Sequence, residues 1–217
     1  MSLADKFDSE SKQKMKEMIE LSSESEIEYF TTVKADYTLG DIIKGKKKCC
    51  DPRKIIKSEN NVIGLFHTHP HDQNFFKESD LEKESLDFVA AALNLNEKQK
   101  EVFGKRVKEN SFRTSAFMSP NDLRFSLAYN LTAECIGTID KNMKPFVLCF
   151  ELYPDAKERL RKQLGTLKGK EKDIFLKVYN NWIGNKPPEE SIDFAESYVL
   201  LKTYKIIVKE ESEIKFD

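Results

Sequence analysis

Long hydrophobic runs are absent from this sequence, and cysteine is scarce. No segment approaches the roughly 20 apolar residues that a membrane-spanning helix needs, and the polar, charged N-terminus lacks the apolar core of a signal peptide. A soluble, cytoplasmic protein is therefore expected. Four cysteines in 217 residues are too few for a disulfide framework, and adjacent cysteines rarely bond each other. Reduced thiols are expected at all four positions, which are Cys49, Cys50, Cys135 and Cys149.

An excess of basic residues is also missing. The formal net charge is -1 at pH 7, and no segment combines basic residues with the aromatic side chains on which nucleic-acid bases stack. A nucleic-acid partner is therefore not expected. The length of the chain favours one domain with elaborations over two domains.

Histidine is scarce as well, since the chain has only three, at positions 67, 69 and 71. The apolar run 62–66 predicts a buried strand that leads into His67, Thr68 and His69. Because side chains alternate along a strand, the imidazoles of His67 and His69 lie on one face and can bind one cation. Without a distant histidine, any further ligand has to be Asp, Glu or Cys. Two histidines and one carboxylate leave a position open for water, the arrangement that catalytic zinc prefers.

Two other classes of metal enzyme are excluded by residues that the chain lacks. Zinc deaminases need a Pro-Cys-x-x-Cys segment, which the sequence does not contain. Amidohydrolase barrels also carry His-x-His at a strand end, but they require further histidines far away in the chain. None is present here.

Hydrophobic periodicity predicts strands at both ends of a helix-rich middle, and therefore an α/β protein. The N-terminal part is predicted to contain a helix over 12–21, strands over 26–33 and 37–43 with their turn at Ala35-Asp36, and the central strand over 62–67. Residues 75–117 show only helical patterns, which indicates an inserted helical pair. After Ser119 come a helix, strands over 134–139 and 146–152 joined by a turn at 140–142, helices over 155–164, 170–183 and 189–201, and an extended tail over 204–208.

The run Leu65-Phe66-His67-Thr68-His69-Pro70, followed downstream by Ser119-Pro120-Asn121-Asp122-Leu123, resembles the signature of the JAMM (MPN+) zinc metalloproteases. That family, which includes ubiquitin isopeptidases, combines a Glu on an early strand, His-x-His-Pro at the end of another strand, and Ser-x-x-Asp at a helix start. The segment Glu134-Cys135-Ile136-Gly137 is similar to the family's next strand. The resemblance covers about 24–152 and implies the MPN fold, which is cytidine-deaminase-like and has a mixed central sheet flanked by helices.

The resemblance implies one catalytic zinc held by His67, His69 and Asp122. It also implies Ser119 as a hydrogen-bond donor to the oxyanion and a glutamate as general base. We assign the base to Glu28, with Glu26 and Glu24 as alternatives.

The third ligand has an alternative in Asp80, which lies at the family's usual short distance from His69 but has Lys77 where the family has serine. Choosing Asp122 means that 49 residues, Pro70 to Met118, replace a short loop of the family. Ser119 to Asp122 is also the pattern of an ordinary helix start, with serine as N-cap and an acidic residue in the first turn. His71 is expected at the rim of the site.

In domain terms, residues 1–152 are predicted to form a JAMM/MPN-like catalytic domain with a helical insertion over 71–118. Residues 153–217 are predicted to form a mainly helical C-terminal extension packed on the same domain. By resemblance, the reaction is hydrolysis of an amide or isopeptide bond at the C-terminal tail of a ubiquitin-like protein, with the tail bound as an added strand. The alternatives are a non-catalytic MPN-type interaction scaffold and a metallo-amidase acting on a small substrate.

Overall fold

The computed structural model describes residues 1–46, 52–70, 96–98, 101, 118–139, 143–183 and 194–216. Within them, the first half of the chain contains helices α1 (Leu3–Lys6) and α2 (Ser9–Ser25), strands β1 (Tyr29–Lys34) and β2 (Ile43–Lys44), helix α3 (Arg53–Ser58) and strand β3 (Val62–Thr68). The second half contains helix α4 (Pro120–Tyr129), strands β4 (Ala133–Ile139) and β5 (Pro145–Leu152), helices α5 (Ala156–Thr166), α6 (Gly169–Ile183) and α7 (Phe194–Ile207), and strand β6 (Val208–Lys215).

The six strands form one open, mixed sheet in the order β2-β1-β3-β4-β5-β6. Strands β3 and β4 run parallel, and the other neighbouring pairs are antiparallel. The parallel pair requires a crossover connection, and α4 lies in it. The predicted α/β class, with a mixed sheet flanked by helices, is confirmed.

Helices cover both faces of the sheet. On one face, α1 and α2 pack with Met15, Met18 and Ile19 against a layer that includes Phe66, Cys135 and Val147. On the other face, α4 to α7 pack around Ile136, Leu148 and Phe150. Successive strand residues point to opposite faces. Because Phe66 belongs to the α1–α2 face, His67 faces α4.

Most of the predicted elements are confirmed, but the first hairpin is not. Strand β1 begins at Tyr29 rather than at 26, because α2 continues to Ser25 and Glu26 closes that helix in the left-handed conformation (φ 52°). The turn at Ala35-Asp36 is present, with the Tyr37 amide donating to the Lys34 carbonyl (2.8 Å). The predicted strand over 37–43 is reduced to a bridge at Leu39 and to β2, because Tyr37 has a positive φ (65°) that interrupts extended pairing.

The extended tail predicted over 204–208 is also wrong. Helix α7 continues to Ile207, and the strand that follows is β6, which pairs antiparallel with β5. This strand forms the edge of the sheet, and of its residues only Ile214 is buried. Its Lys and Glu side chains are typical of an edge strand, and they conceal the apolar alternation by which a strand is recognised.

The expectation of reduced thiols fails at one pair of cysteines. Cys135 of β4 and Cys149 of β5 are direct register partners with Cα atoms 4.1 Å apart, and their sulfurs form a disulfide. Two side chains opposite each other on antiparallel strands share a face and can be bridged. Cys49, Cys50, the turn at 140–142 and almost all of the predicted insertion lie outside the described residues.

None of the helices in the part of the chain that the structure describes is both long and apolar enough to cross a membrane.

Candidate metal centre

The candidate site lies where β3 ends and α4 begins. Helix α4 lies between the parallel strands β3 and β4 in chain order, and its first turn places Asp122 beside His67 and His69 at the carboxyl end of β3. In open α/β sheets, ligands bind beyond the carboxyl ends of parallel strands. The structure brings His67, His69 and Asp122 together at this edge.

The three side chains point one atom each toward a common centre. The Nε2 atoms of His67 and His69 are 3.0 Å apart, and Oδ2 of Asp122 lies 3.6 Å from the first and 3.9 Å from the second. A circle through these three atoms has a radius of about 2.05 Å, within the roughly 2.0–2.2 Å that zinc keeps from nitrogen and oxygen ligands. The three ligand atoms are therefore spaced so that one metal ion of this size could contact all of them.

Asp122 is held in place by the start of α4. The Ser119 backbone amide donates to Oδ2 of Asp122 (2.7 Å), and the Asp122 amide donates to the Ser119 hydroxyl (3.3 Å). These two bonds are the reciprocal capping box of a helix N-terminus. The capping interpretation and the metal-ligand interpretation of this segment are therefore compatible, because the cap fixes the carboxylate whose Oδ2 faces the histidines.

The backbone around the histidines is anchored on both sides. The His69 amide donates to the Gly137 carbonyl (2.9 Å), and the Thr138 hydroxyl donates to the His69 carbonyl (3.1 Å). On the opposite face, the Thr68 hydroxyl accepts from the Tyr29 amide (2.9 Å). His67 and His69 are only 3% and 4% exposed. The backbone of this segment is therefore fixed to its neighbours, and both imidazoles are buried.

A fourth ionisable residue, Glu134 on β4, contacts the site, and its part in it was not predicted from the sequence. Its Oε1 lies 3.2 Å from Nδ1 of His67, the ring nitrogen turned away from the centre. Its Oε2 accepts a hydrogen bond from the Ser126 hydroxyl of α4 (2.8 Å). The sequence feature that could have indicated this role is a single glutamate in the apolar run Ala133-Glu134-Cys135-Ile136. Acidic residues are almost never buried without a partner, so a glutamate in a buried strand indicates one.

The charges of the site perturb one another strongly. Burial alone would lower the pKa of His67, but the carboxylates of Asp122 and Glu134 outweigh it and hold that pKa well above its ordinary value. Burial would raise the pKa of Asp122, but the two imidazoles outweigh it and hold that pKa well below the usual range. Burial is the largest effect on Glu134 and raises its pKa. Without metal, the ionised form of Asp122 and the protonated form of His67 therefore stabilise each other.

Of the three glutamates considered as general base, Glu28 is the one directly before β1 and the one that is buried. Phe30 of β1 is the register partner of His67, so the two side chains share a face. The alternation of β1, continued to Glu28, assigns its side chain to that same face, and Glu28 is 6% exposed. Glu24 lies within α2 and Glu26 at its C-terminal end, and both are exposed. The period-two argument that placed Glu26 beside Glu28 fails because Glu26 is not in a strand.

Two sequence-based assignments concern residues outside the described part of the chain. Asp80, the alternative third ligand, and His71, expected at the rim, are both among the residues 71–95. Ser119 lies at the N-cap of α4, next to Asp122 in the capping box.

Comparison with protein-family profiles, with curated proteins and with solved structures finds no match for this chain.

We expect the zinc affinity of the site to rise with pH through the neutral range. Below its raised pKa, His67 carries a proton that zinc has to displace, and this competition ends as the pH rises through that pKa. Asp122 adds no pH dependence there, because its lowered pKa keeps it ionised. The apparent affinity should change about tenfold per pH unit for each proton displaced. Chelator competition between about pH 6 and pH 8 measures this slope, and an affinity independent of pH contradicts the assignment.

Proposed function

We propose that this protein is a zinc-dependent hydrolase of the JAMM type that cleaves an amide or isopeptide bond. One observation carries the proposal: Nε2 of His67, Nε2 of His69 and Oδ2 of Asp122 surround a point about 2 Å from each of them. These residues come from the two motifs that resemble the family, His-x-His-Pro and Ser-x-x-Asp. The six-stranded mixed sheet is compatible with the MPN fold, which remains part of the proposal.

The ligand chemistry supports zinc as the metal. Two imidazoles and one carboxylate form a three-residue set that leaves a coordination position for water. Zinc bound in such a site lowers the pKa of a bound water to about 7 and so supplies a nucleophile at neutral pH. Non-haem iron enzymes use the same ligand set, so the test below includes Fe(II).

The residues around the centre can each perform one step of hydrolysis. The Glu28 carboxylate would accept the proton of the attacking water and deliver it to the leaving amine. The Ser119 hydroxyl can accept the bond from the Asp122 amide and still donate its own proton. It would donate that proton in a hydrogen bond to the oxyanion of the tetrahedral intermediate, an interaction worth roughly 3 to 4 kcal/mol in comparable sites.

The substrate class proposed here follows the resemblance to isopeptidases. The scissile bond would join a lysine side chain to the C-terminal tail of a ubiquitin-like protein. Such a tail is recognised as an added strand, through main-chain hydrogen bonds and pockets for alternate side chains.

The proposal is tested by assaying the full chain after loading with zinc or with Fe(II). Three substrates should be compared: ubiquitin joined through an isopeptide bond to a labelled lysine peptide, a linear ubiquitin fusion, and a small acylated amino acid. We expect the zinc-loaded protein to cleave the isopeptide, to stop on chelation and to recover with one equivalent of zinc. Cleavage of the small amide alone would favour a metallo-amidase. Zinc bound without cleavage of any substrate would favour a non-catalytic scaffold and contradict the proposal.

A further inference from the structure

We infer that Glu134 and Ser126 form a positioning pair that fixes the metal-binding face of His67 and sets the affinity of the site for its metal. The inference deepens the proposed function and rests on it, because it concerns the same metal centre. Neither residue belongs to the motifs that resemble the JAMM family.

The geometry of His67 provides the first step. A neutral imidazole carries one proton, on Nδ1 or on Nε2, and only the nitrogen without the proton can bind a metal. Nε2 of His67 faces His69 and Asp122, while Nδ1 lies 3.2 Å from Oε1 of Glu134. A carboxylate at that distance accepts a hydrogen bond from a protonated Nδ1. It thereby selects the tautomer whose Nε2 lone pair points into the centre.

The burial of Glu134 provides the second step. Its side chain is 1% exposed, and a glutamate at such a position costs free energy unless both of its oxygens have partners. Both do, because Oε1 meets His67 and Oε2 accepts from Ser126, which is itself 1% exposed. Two fixed oxygens prevent the carboxylate from rotating. The orientation of the His67 ring is therefore determined by β4 and α4 together.

The position of Glu134 in the sheet provides the third step. Its register partner in the parallel strand β3 is Leu65, two residues before His67, so Leu65 and His67 point to the same face. This face carries α4, from which Asp122 reaches the centre and Ser126 reaches Glu134. One helix thus supplies a metal ligand from its first turn and the partner of Glu134 from the next turn.

Charge balance provides the fourth step. A divalent cation bound by two neutral imidazoles and one aspartate carries a net charge of +1 in a buried site. The Glu134 carboxylate, in contact with His67, offsets part of this charge, and buried charges are tolerated when they are paired. A carboxylate behind a histidine ligand also makes that ligand more basic, and removing such a partner typically costs about 10- to 100-fold in metal affinity.

The test compares Glu134→Gln, Glu134→Ala and Ser126→Ala with the wild-type chain. The matched control is Glu210→Gln, which changes an exposed glutamate on β6. Zinc affinity is measured by chelator competition, and the visible absorption of the Co(II)-loaded protein reports the geometry of the ligands. Thermal unfolding of each metal-free variant separates an effect on folding from an effect on the metal.

We expect Glu134→Ala to weaken zinc binding about 100-fold and Glu134→Gln about 10-fold, since glutamine keeps an acceptor for the Nδ1 proton but loses the charge. Ser126→Ala should weaken binding about 3- to 10-fold, the change that corresponds to one hydrogen bond. The Co(II) spectrum should change in both Glu134 variants and remain unchanged in Glu210→Gln.

A purely structural role for Glu134 predicts a different result. The folded variants would then unfold at lower temperature but bind zinc with wild-type affinity, and this outcome overturns the inference. If the Glu134 variants do not fold, the zinc affinity of Ser126→Ala tests the inference instead. Wild-type zinc affinity in that variant overturns the inference. A wild-type chain that binds no metal would instead overturn the proposed function, so the two failures are distinguishable.

Discussion

Replacing Glu28 with glutamine is expected to lower the turnover of an amide substrate about 100- to 10,000-fold, the usual contribution of a general base. Glutamine keeps the size of the side chain and its hydrogen-bonding capacity but cannot accept a proton from water. Glu28 is not among the three residues that surround the centre, so zinc should remain bound in one equivalent. The measurement is kcat for the zinc-loaded variant together with its metal content.

Two controls test the choice among the three candidate bases. Glu26→Gln and Glu24→Gln change exposed glutamates at the end of α2 and should leave kcat within about twofold of the wild-type value. A Glu28→Gln variant with wild-type turnover, or a large loss in Glu26→Gln instead, would show that the base has been assigned to the wrong residue.

Replacing Asp122 with asparagine is expected to weaken zinc binding by at least about 100-fold. Removing a residue that only supports a ligand typically lowers metal affinity roughly 10- to 100-fold. Asp122 is itself one of the three residues that surround the centre, and it is the only one of them with a negative charge. Asparagine retains an oxygen that can accept from the Ser119 amide, so the cap of α4 should be preserved. Activity should fall with metal occupancy, and metal analysis after dialysis against a weak chelator measures the effect.

The controls for this variant also test the alternative ligand. Asp155→Asn changes an exposed aspartate at the start of α5 and should keep full zinc occupancy. Asp80→Asn should likewise keep it if Asp122 is the ligand. Zinc retained in Asp122→Asn but lost in Asp80→Asn would assign the third position to Asp80.

The parts of the site that could be predicted from the sequence depend on local rules. Strand alternation places His67 and His69 on one face whatever the rest of the fold does. Likewise, Ser119 and Asp122 are recognisable as the start of a helix from four consecutive residues. Local rules also found β3, β4 and β5 and most of the helices, because their apolar periodicity is strong.

The parts that could not be predicted depend on which strands pair and in what register. Glu134 reaches His67 only because β4 lies parallel to β3 after a long excursion of the chain, and Cys135 reaches Cys149 only through the β4–β5 register. Strand β6 was not predicted, because an edge strand carries charged side chains on both faces and therefore shows no apolar alternation. In the first hairpin, the positive φ of Tyr37 ended a pairing that the β-branched sequence favoured.

The most direct test of the metal centre is an anomalous diffraction measurement at the zinc edge on crystals of the zinc-loaded full chain. We predict one anomalous peak about 2.0–2.2 Å from Nε2 of His67, Nε2 of His69 and Oδ2 of Asp122, with the remaining position open to water. A peak coordinated by a different carboxylate, or no peak at these histidines, would contradict this assignment.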